Sequence, residues 1–424
     1  MGNLDYTQVL NKIENTRRFG NEPGVVVTAQ VIKVLREKGK QKRIIPYIHV
    51  AGTNGKGSVC AFFSSILKKE HMRVGTFVSP HLVDFEERIT VDGRMIPKED
   101  VTRLGNYLLD IDFGIGLTMF DYCLAMALLY FEEQQCDYMV IETGLGGRLD
   151  STNAIGTPQC AVITKIGYDH MAILGSDIAD IAAEKAGIIK ENGTVVVEQQ
   201  DKRAMQVIVQ EAKKKHARII SVEQSDIARC SGYALRLCGT FQWENAAAAE
   251  LAARYVLGKR YSGPEYEMQY DKTGPKSEKT DLNDRIKSAL EEAVWPGRME
   301  IVSKEPFLLV DGAHNSNGVD ALKESLMQMY PGEKFCFFMG VMADKDYDVM
   351  IREILPLAEE FYTVTPDSDR ALQASHLADF IRKEGVCATE LSGVDEIRKH
   401  LKRDTKNVAF GSLYFIGELK QHRI

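Results

Sequence analysis

The sequence predicts an α/β protein of two domains, each built on a mainly parallel β-sheet. Short apolar runs alternate with amphipathic stretches along most of the 424 residues, and this alternation is typical of parallel strands connected by helices. The chain is also too long for one ordinary domain, since a domain averages about 150 residues. We therefore expect a large domain over residues 1–296 and a smaller α/β domain over residues 297–424.

In the large domain, strand-like runs are followed by helical patterns. Strands are predicted at 47–50, 74–78, 138–141 and 160–164, and helices at 58–69 and 120–134. Asp92-Gly93 is typical of a hairpin turn. Residues 258–293 are polar and rich in charge, with Gly and Pro among them, so they are predicted to form an extended surface loop before the domain boundary.

In the small domain the same alternation resumes after Trp295-Pro296. Strands are predicted at 307–310, 335–339 and 408–410, and a helix at 319–330. We expect this domain to be Rossmann-like, with a parallel sheet covered by helices.

The composition excludes several classes of protein. The net charge is −7, which argues against a nucleic-acid surface, because binding to phosphate backbones needs clustered positive charge. The eight cysteines form no CxxC pair and show no zinc spacing, which favours a reducing compartment. With no signal-like start and no apolar run of membrane-spanning length, we expect a cytoplasmic protein without membrane partners. A monomer is expected, although no sequence pattern determines the oligomeric state.

The strongest local motif is HVAGTNGKGSV at 49–59, where an apolar strand runs into a glycine-rich turn and then a helix. The turn consists of Gly52, Thr53, Asn54, Gly55, Lys56, Gly57 and Ser58. Glycines let backbone N–H groups converge on phosphate oxygens, and the helix N-terminus and Lys56 add positive charge. Because Gly57 separates Lys56 from Ser58, this is a variant P-loop, in which Ser58 would supply the hydroxyl near a metal ion. The alternative is a glycine turn without a ligand.

Polar residues also follow the other predicted strands. They are Ser79, Glu142, Lys165 and Asp311, and the GSLY motif begins with Gly411 after the last predicted strand. Ligands of open parallel sheets bind beyond the carboxyl ends of the strands, so the sequence places its polar groups where an α/β enzyme would gather them.

Further motifs run across nearly the whole chain. They are SPHL at 79–82, ERI at 87–89, ETGLGGRLDSTN at 142–153, DHMAILG at 169–175, EKAGIIK at 184–190, WPGR at 295–298, DGAHN at 311–315 and GSLY at 411–414. In sequence and in order these motifs resemble the folylpolyglutamate synthases and the related dihydrofolate synthases of the Mur ligase superfamily. The resemblance implies an ATP-dependent, ADP-forming ligase that couples L-glutamate to a folate through an acyl phosphate.

The resemblance implies a Mg²⁺ site and a modified lysine. It assigns Ser79, Glu142 and His170 to the metal, although imidazole is an unusual magnesium ligand, and a lone Glu142 could equally be an exposed loop carboxylate. It also implies that Lys185 of EKAGIIK is carbamylated, which converts a cation into an anion. Carbamylation requires the neutral amine, so the site should lower the pKa of this lysine.

Other residues are assigned to ATP by the same resemblance. Asn245 would contact the nucleotide, Arg298 would reach the terminal phosphate, and Asp311 would meet the nucleotide. His314 would lie near the phosphate or the incoming amino acid. The alternatives are that Arg298 caps the domain junction and that Asp311 caps the next helix.

The pterin ring would contact the TMFD motif and the GRLDSTN segment. Phe120 could stack on the ring or belong to the core, and Arg148 and Asp150 could bind its polar edge. Asp121 replaces the glutamate usual in the family, which is one methylene longer. Residues 19–30 replace the GNPQ-like segment of relatives, so the pterin entrance is expected to differ here.

Three alternatives remain open from the sequence. The enzyme could glutamylate dihydropteroate, extend reduced folates, or do both. A peptidoglycan-type Mur ligase would need an N-terminal nucleotide-sugar domain, whereas about 48 residues precede the glycine turn. A non-catalytic, nucleotide-dependent regulatory protein would have no need for the combination of Glu142, His170, Lys185 and Arg298.

Overall fold

The computed structural model describes residues 3–16, 20–262 and 276–424, with side chains throughout these ranges except at 259–262 and 276–281. The chain divides into two compact units. The large unit comprises residues 1–81, 85–234 and 244–293, and the small unit residues 82–84, 235–243 and 294–424.

The large unit is built on an eight-stranded sheet. Its strands are β1 (Tyr47–Ala51), β2 (Val74–Phe77), β3 (Ile89–Val91), β4 (Arg94–Met95), β5 (Tyr138–Glu142), β6 (Cys160–Ile163), β7 (Thr194–Val197) and β8 (Arg218–Ser221). Their order is β4-β3-β2-β5-β1-β6-β7-β8, and all pairs are parallel except β2–β3 and β3–β4. The central strands are buried along their whole length, as expected for a parallel sheet covered on both faces.

The helices of this region connect and cover the strands. They are α1 (Tyr6–Glu14), α2 (Gly24–Glu37), α3 (Lys56–Lys69), α4 (Lys98–Leu109), α5 (Met119–Glu133), α6 (Met171–Leu174), α7 (Ile178–Ala186), α8 (Lys202–Lys214), α9 (Gln224–Ser231), α10 (Phe241–Ser262) and α11 (Lys276–Glu292), with 3-10 helices at Phe85–Arg88 and Ser151–Ala154. None of the helices described is long and apolar enough to cross a membrane.

The small unit contains a six-stranded sheet. Its strands are β9 (Glu300–Lys304), β10 (Phe307–Val310), β11 (Phe335–Met339), β12 (Ala358–Thr363), β13 (Cys387–Glu390) and β14 (Lys406–Phe410), in the order β13-β12-β11-β14-β10-β9. Its helices are α12 (Ser316–Met329), α13 (Tyr347–Ile354), α14 (Ala374–Lys383), α15 (Ile397–His400) and α16 (Leu413–Gln421), with 3-10 helices at Leu355–Leu357 and Val394–Glu396. All pairs are parallel except β9–β10, and the predicted α/β fold class is confirmed.

The register of the large sheet brings three strand ends to one level. Val50 of β1 lies opposite Glu142 of β5 on one side and Val162 of β6 on the other. The chain leaves β1 for the glycine-rich turn two residues later, so Glu142 and the residues after β6 flank that turn.

The prediction of an extended loop at 258–293 is wrong at both ends of this range, where the chain is helical. Residues 258–262 complete α10, and residues 276–292 form α11, while 263–275 lie outside the described residues. The sequence signal for α11 is a short apolar stripe, in which Ile286, Ala289 and Leu290 are buried at helical spacing. The stripe packs on α3, where Ser65 donates to the Ala289 carbonyl at 2.6 Å.

Candidate active site

The glycine-rich turn ends where α3 begins. Gly55 occupies the N-cap position with a φ of 90°, and a side chain there would collide with Asn245, whose Oδ1 lies 2.3 Å from the position of an added Cβ. Without a capping side chain, the backbone N–H groups of the first turn and the positive end of the helix dipole form an anion site. Asn245, from α10, thus lies directly against the predicted phosphate turn.

The segment after β6 holds this turn in place. The Lys165 carbonyl accepts hydrogen bonds from Thr53 N at 2.9 Å and from Asn54 N at 3.3 Å. Thr53 Oγ1 donates to the Gly167 carbonyl at 3.0 Å, and Thr164 Oγ1 donates to the Asn54 carbonyl at 2.6 Å. The sequence pattern singled out Lys165 as a strand-end residue but did not reveal that this segment supports the turn.

Gly52 packs directly against this segment and leaves no space for a side chain. A Cβ added there would lie 1.8 Å from Thr164 Oγ1. We expect Gly52→Ala to displace the turn and weaken ADP binding by at least about tenfold, because small displacements of binding groups are costly. Isothermal titration calorimetry would measure this. Gly116→Ala is the matched control, since an added Cβ at Gly116 meets no atom within 4 Å, and equal ADP affinity of the two variants would contradict the prediction.

Lys56, Glu142 and Ser79 lie together beside the turn. Lys56 Nζ donates to the carbonyls of Gly52 at 3.1 Å and Thr53 at 3.2 Å, and lies 3.9 Å from Glu142 Oε1. Glu142 is 4% exposed, and its Oε2 accepts from Ser79 N at 3.2 Å. A buried carboxylate therefore faces the positive group of the turn.

The oxygen atoms at this place suit Mg²⁺. Ser58 is buried in the first turn of α3, and Mg²⁺ prefers one or two carboxylates with further oxygen ligands and water. Within the ranges described, no group of three or more His, Cys, Asp or Glu side chains could hold a metal ion. His170 lies at the start of α6 with its side chain 38% exposed and 3.9 Å from Asp169.

Lys185 lies in the last turn of α7 and points toward the same turn. It is 4% exposed, and its Nζ donates to the Gly52 carbonyl at 2.8 Å. Burial, with a smaller contribution from the charge of Lys56, lowers the pKa of Lys185 to about 7. Lys56 and Lys185 therefore converge on one carbonyl oxygen.

The loop of residues 143–153 packs against the end of α7. The Arg148 N–H donates to the Glu184 carbonyl at 2.7 Å, and the Arg148 guanidinium pairs with the Glu184 carboxylate at 2.6 Å. Asn153 Nδ2 donates to the carbonyls of Arg148 at 3.0 Å and Gly187 at 3.1 Å. These bonds fix the backbone next to Lys185.

The carboxylate of Asp150 is engaged by its own loop. It accepts from Leu145 N at 2.8 Å, from Thr152 N at 3.0 Å and from the Thr152 hydroxyl. Burial raises the pKa of Asp150, and these hydrogen bonds to the ionised form oppose that effect. The side chain therefore shapes the loop.

Asp121 has a similar structural role. It forms a capping box with Thr118 at the start of α5, and its other oxygen accepts from Ser151 Oγ at 2.6 Å and Thr28 Oγ1 at 3.3 Å. Phe120 is half-buried beside it, with its ring edge-on to Phe77 at a centroid distance of 5.4 Å. Of these two TMFD residues, Phe120 is the more accessible.

In the small unit, Arg298, Asp311 and His314 lie near one another. Asp311 is buried at the end of β10 and accepts from Met299 N at 2.8 Å and Ala313 N at 2.7 Å. Burial raises the pKa of Asp311, and the positive charge of Arg298 opposes this shift. His314 Nδ1 lies 2.8 Å from the Gly312 carbonyl, so it carries the proton of that bond.

The alternative that Asp311 caps the next helix is wrong. The N-cap of α12 is Asn315, whose side chain accepts from Gly318 N at 2.8 Å. Asp311 instead accepts hydrogen bonds from Met299 N, next to Arg298, and from Ala313 N, next to His314, and so fixes the separation of the two segments.

Sequence reasoning missed His49, a fully buried residue within β1. Its Nε2 lies 2.8 Å from Thr152 Oγ1, and Thr152 in turn binds Asp150. Burial, with a smaller effect of Lys190, lowers the pKa of His49 to about 3, so the ring is neutral. The available signal was a lone histidine in an otherwise apolar strand.

Comparison with known domain families identifies both parts of the chain. Residues 50–253 match the Mur ligase middle domain, and residues 297–411 match the Mur ligase, glutamate ligase domain. A dihydrofolate synthase/folylpolyglutamate synthase of Bacillus subtilis is 33% identical, and the alignment covers 98% of each chain. A folylpolyglutamate synthase of Lacticaseibacillus casei is 30% identical, with 87% of each chain covered.

Solved structures give the same result. Folylpolyglutamate synthase of Mycobacterium tuberculosis complexed with ADP has a TM-score of 0.82 and 25% identity, with 99% of this chain and 98% of that chain covered. Escherichia coli FolC in complex with DHPP and ADP has a TM-score of 0.80 and 26% identity, with 99% and 97% covered.

Proposed function

Since this chain belongs to the dihydrofolate synthase/folylpolyglutamate synthase family, we propose that its glycine-rich turn, Lys56 and Glu142 bind ATP and Mg²⁺ for the ligation of L-glutamate to a folate. The enzyme is an ATP-dependent ligase that forms an amide bond and releases ADP and phosphate. The observation that carries the residue assignment is the position of Glu142 beside the turn, where its carboxylate lies 3.9 Å from Lys56 Nζ and accepts a hydrogen bond from Ser79 N at 3.2 Å.

The reaction has two steps. The carboxylate of the pteroyl or γ-glutamyl group attacks the γ-phosphate of ATP, which forms an acyl phosphate and releases ADP. The amino group of L-glutamate then attacks the acyl carbon, the amide forms, and phosphate leaves. Lys56 and the N-terminus of α3 neutralise the developing charge on the phosphate, so catalysis is mainly positioning and electrostatic stabilisation.

Glu142, Ser58 and Ser79 are the proposed protein ligands of Mg²⁺. The ion would supply positive charge at the phosphates, as magnesium does in phosphoryl transfer. His170 remains a proposed ligand, supported by its loop, because Gly167 in the same loop is bonded to Thr53.

Lys185 is proposed to be carbamylated. Its pKa of about 7 leaves a large neutral fraction at neutral pH, and the neutral amine is the form that reacts with CO₂. A carbamate keeps one N–H on Nζ, so the bond to the Gly52 carbonyl can persist. Its negative charge would then lie next to Lys56, where two cations otherwise repel each other.

Phe120 and Arg148 are the proposed pterin contacts, through ring stacking and through the polar edge of the ring. Asp121 and Asp150 are proposed to shape this site rather than to bind the ring, because their oxygens are already bonded within the chain.

The domain at 297–424 is proposed to bring Arg298 to the terminal phosphate, with Asp311 and His314 serving the nucleotide and the incoming glutamate. The domain at 1–296 would provide the ATP site, including Asn245.

All eight cysteines are free thiols, which supports a reducing, cytoplasmic location. A monomeric state stays a prediction.

An ADP-release assay tests the activity. The purified chain should release ADP when L-glutamate and either dihydropteroate or tetrahydrofolate are both present, and omission of any one substrate should abolish release. Labelled oxygen in the substrate carboxylate should appear in the released phosphate if an acyl phosphate forms. A chain stimulated by neither pterin substrate would contradict the proposal.

The same assay distinguishes the two activities of the family. Stimulation by dihydropteroate alone would identify a dihydrofolate synthase, and stimulation by tetrahydrofolate alone a folylpolyglutamate synthase. Relatives carry either or both of these names.

A further inference from the structure

Three consecutive polar residues follow β7 at the same edge of the sheet as the glycine-rich turn. They are Glu198, Gln199 and Gln200, here called the EQQ segment. Glu198 is 2% exposed, although it carries a carboxylate. A buried carboxylate is costly, and burial raises the pKa of Glu198.

The EQQ segment is bonded to the segment 164–166, which extends β6. Glu198 Oε2 accepts from Lys165 N at 2.8 Å, and Gln200 Oε1 accepts from Ile166 N at 2.9 Å. Gln200 Nε2 donates to the Thr164 carbonyl at 3.0 Å. Both the donor and the acceptor of the Gln200 amide are thus used on this one segment.

These are the residues that support the glycine-rich turn. The Lys165 carbonyl holds Thr53 N and Asn54 N, and the Thr164 hydroxyl holds the Asn54 carbonyl. The EQQ segment therefore reaches the turn through a single intervening layer of hydrogen-bonded backbone.

The EQQ segment also binds α10, the helix that carries Asn245. Gln199 N donates to Glu244 Oε1 at 2.6 Å, and Glu244 precedes Asn245, which packs against Gly55. Lys165 Nζ donates to the Gln199 carbonyl at 2.8 Å and lies 3.9 Å from Glu244 Oε2. One short segment thus connects both supports of the turn.

We propose that Glu198, Gln199 and Gln200 are positioning residues for ATP. They set nucleotide affinity by holding residues 164–166 and Glu244 in fixed positions around the glycine-rich turn. This inference rests on the proposed role of the turn as the triphosphate site. The Glu198 carboxylate is costly to bury, and local features of this kind are expected where function requires a fixed geometry.

Gln200→Glu is the main test, because it preserves shape but replaces the donor to the Thr164 carbonyl with an acceptor. We expect the Kd for ADP and the KM for ATP to rise by about tenfold or more, with the KM for the pterin substrate changed less than about twofold. Gln206→Glu makes the same charge change at an exposed position of α8 and should behave as the parent protein.

Glu198 offers a second, paired comparison. Glu198→Gln keeps an acceptor for Lys165 N and should keep ADP affinity within about threefold, whereas Glu198→Leu removes the acceptor and should weaken binding as Gln200→Glu does. Circular dichroism melting of each variant separates loss of fold from loss of affinity.

The outcomes distinguish this inference from the proposed function. Parent-like ADP affinity in folded Gln200→Glu and Glu198→Leu variants would overturn the positioning role. So would weakening of pterin and ATP binding to the same extent. Failure of the parent chain itself to bind ADP would contradict the proposed function instead.

Discussion

Replacing Lys56 with methionine is expected to lower kcat for ADP formation by about a thousandfold, the scale seen when one charged group is removed from a phosphoryl-transfer site. Lys56 Nζ lies 3.9 Å from the carboxylate of Glu142, and Lys56 stands at the N-terminus of α3, where phosphate oxygens are proposed to bind. Methionine retains most of the side-chain volume but removes the charge. Steady-state ADP release with saturating L-glutamate and folate would measure the effect.

Lys69→Met is the matched control for this experiment. It makes the same substitution on the same helix, at the opposite end, where Lys69 forms a half-exposed ion pair with Glu292 at 2.7 Å. Such pairs contribute little to stability, so kcat should remain within about twofold. A Lys56→Met variant with kcat close to that of Lys69→Met would remove Lys56 from the mechanism.

The strand ends and the glycine-rich turn could be predicted because their signals are local. Buried parallel strands produce short apolar runs, and the first polar residue after each run marks the edge where ligands bind. Gly55 and Lys56 follow such a run, so sequence alone placed them in a turn that leads into a helix; the helix begins at Lys56 rather than at the predicted residue 58.

The bonding of the acidic side chains could not be predicted, because their partners are distant in the sequence. Asp121 receives hydrogen bonds from Thr28 and Ser151, which are brought to it by α2 and the loop before β6. The sequence shows the carboxylates but not which of their oxygens are already bonded. For the same reason, Gln200 was not recognised as a support of the turn.

Helix α11 was missed for a different reason. Its sequence is mostly charged, and the three buried positions Ile286, Ala289 and Leu290 form a narrow stripe. A narrow stripe is stable only against a partner, here α3, through contacts such as Arg285 to Glu70 at 2.7 Å. Local composition favoured a loop, and tertiary packing determined a helix.

Burial and a neighbouring positive charge together predict that the amine of Lys185 can react with CO₂. A lysine that is 4% exposed has lost the hydration that stabilises its ammonium form, and Lys56 adds repulsion. Both effects lower the pKa, to about 7. A lysine with an ordinary pKa near 10.4 would be almost entirely protonated at neutral pH and would not react with CO₂.

Activity should therefore rise with pH through about 7 at a fixed concentration of dissolved CO₂, because the neutral fraction of Lys185 increases as the proton is lost. Removal of CO₂ should lower activity, and bicarbonate should restore it. Nuclear magnetic resonance with isotopically labelled bicarbonate should detect a carbamate that is absent from Lys185→Gln. Full activity after CO₂ removal, with no carbamate signal, would contradict the modification.

Lys185→Ala separates the two chemical roles that this residue could have. We expect turnover to fall by about a hundredfold or more. If the carbamate oxygens are the functional group, short carboxylic acids should enter the vacated space and restore part of the activity, whereas alkylamines should not. Rescue by an amine would identify the ammonium group as the active form, and the convergence of Lys56 and Lys185 on the Gly52 carbonyl would then be a site of two cations rather than of an ion pair.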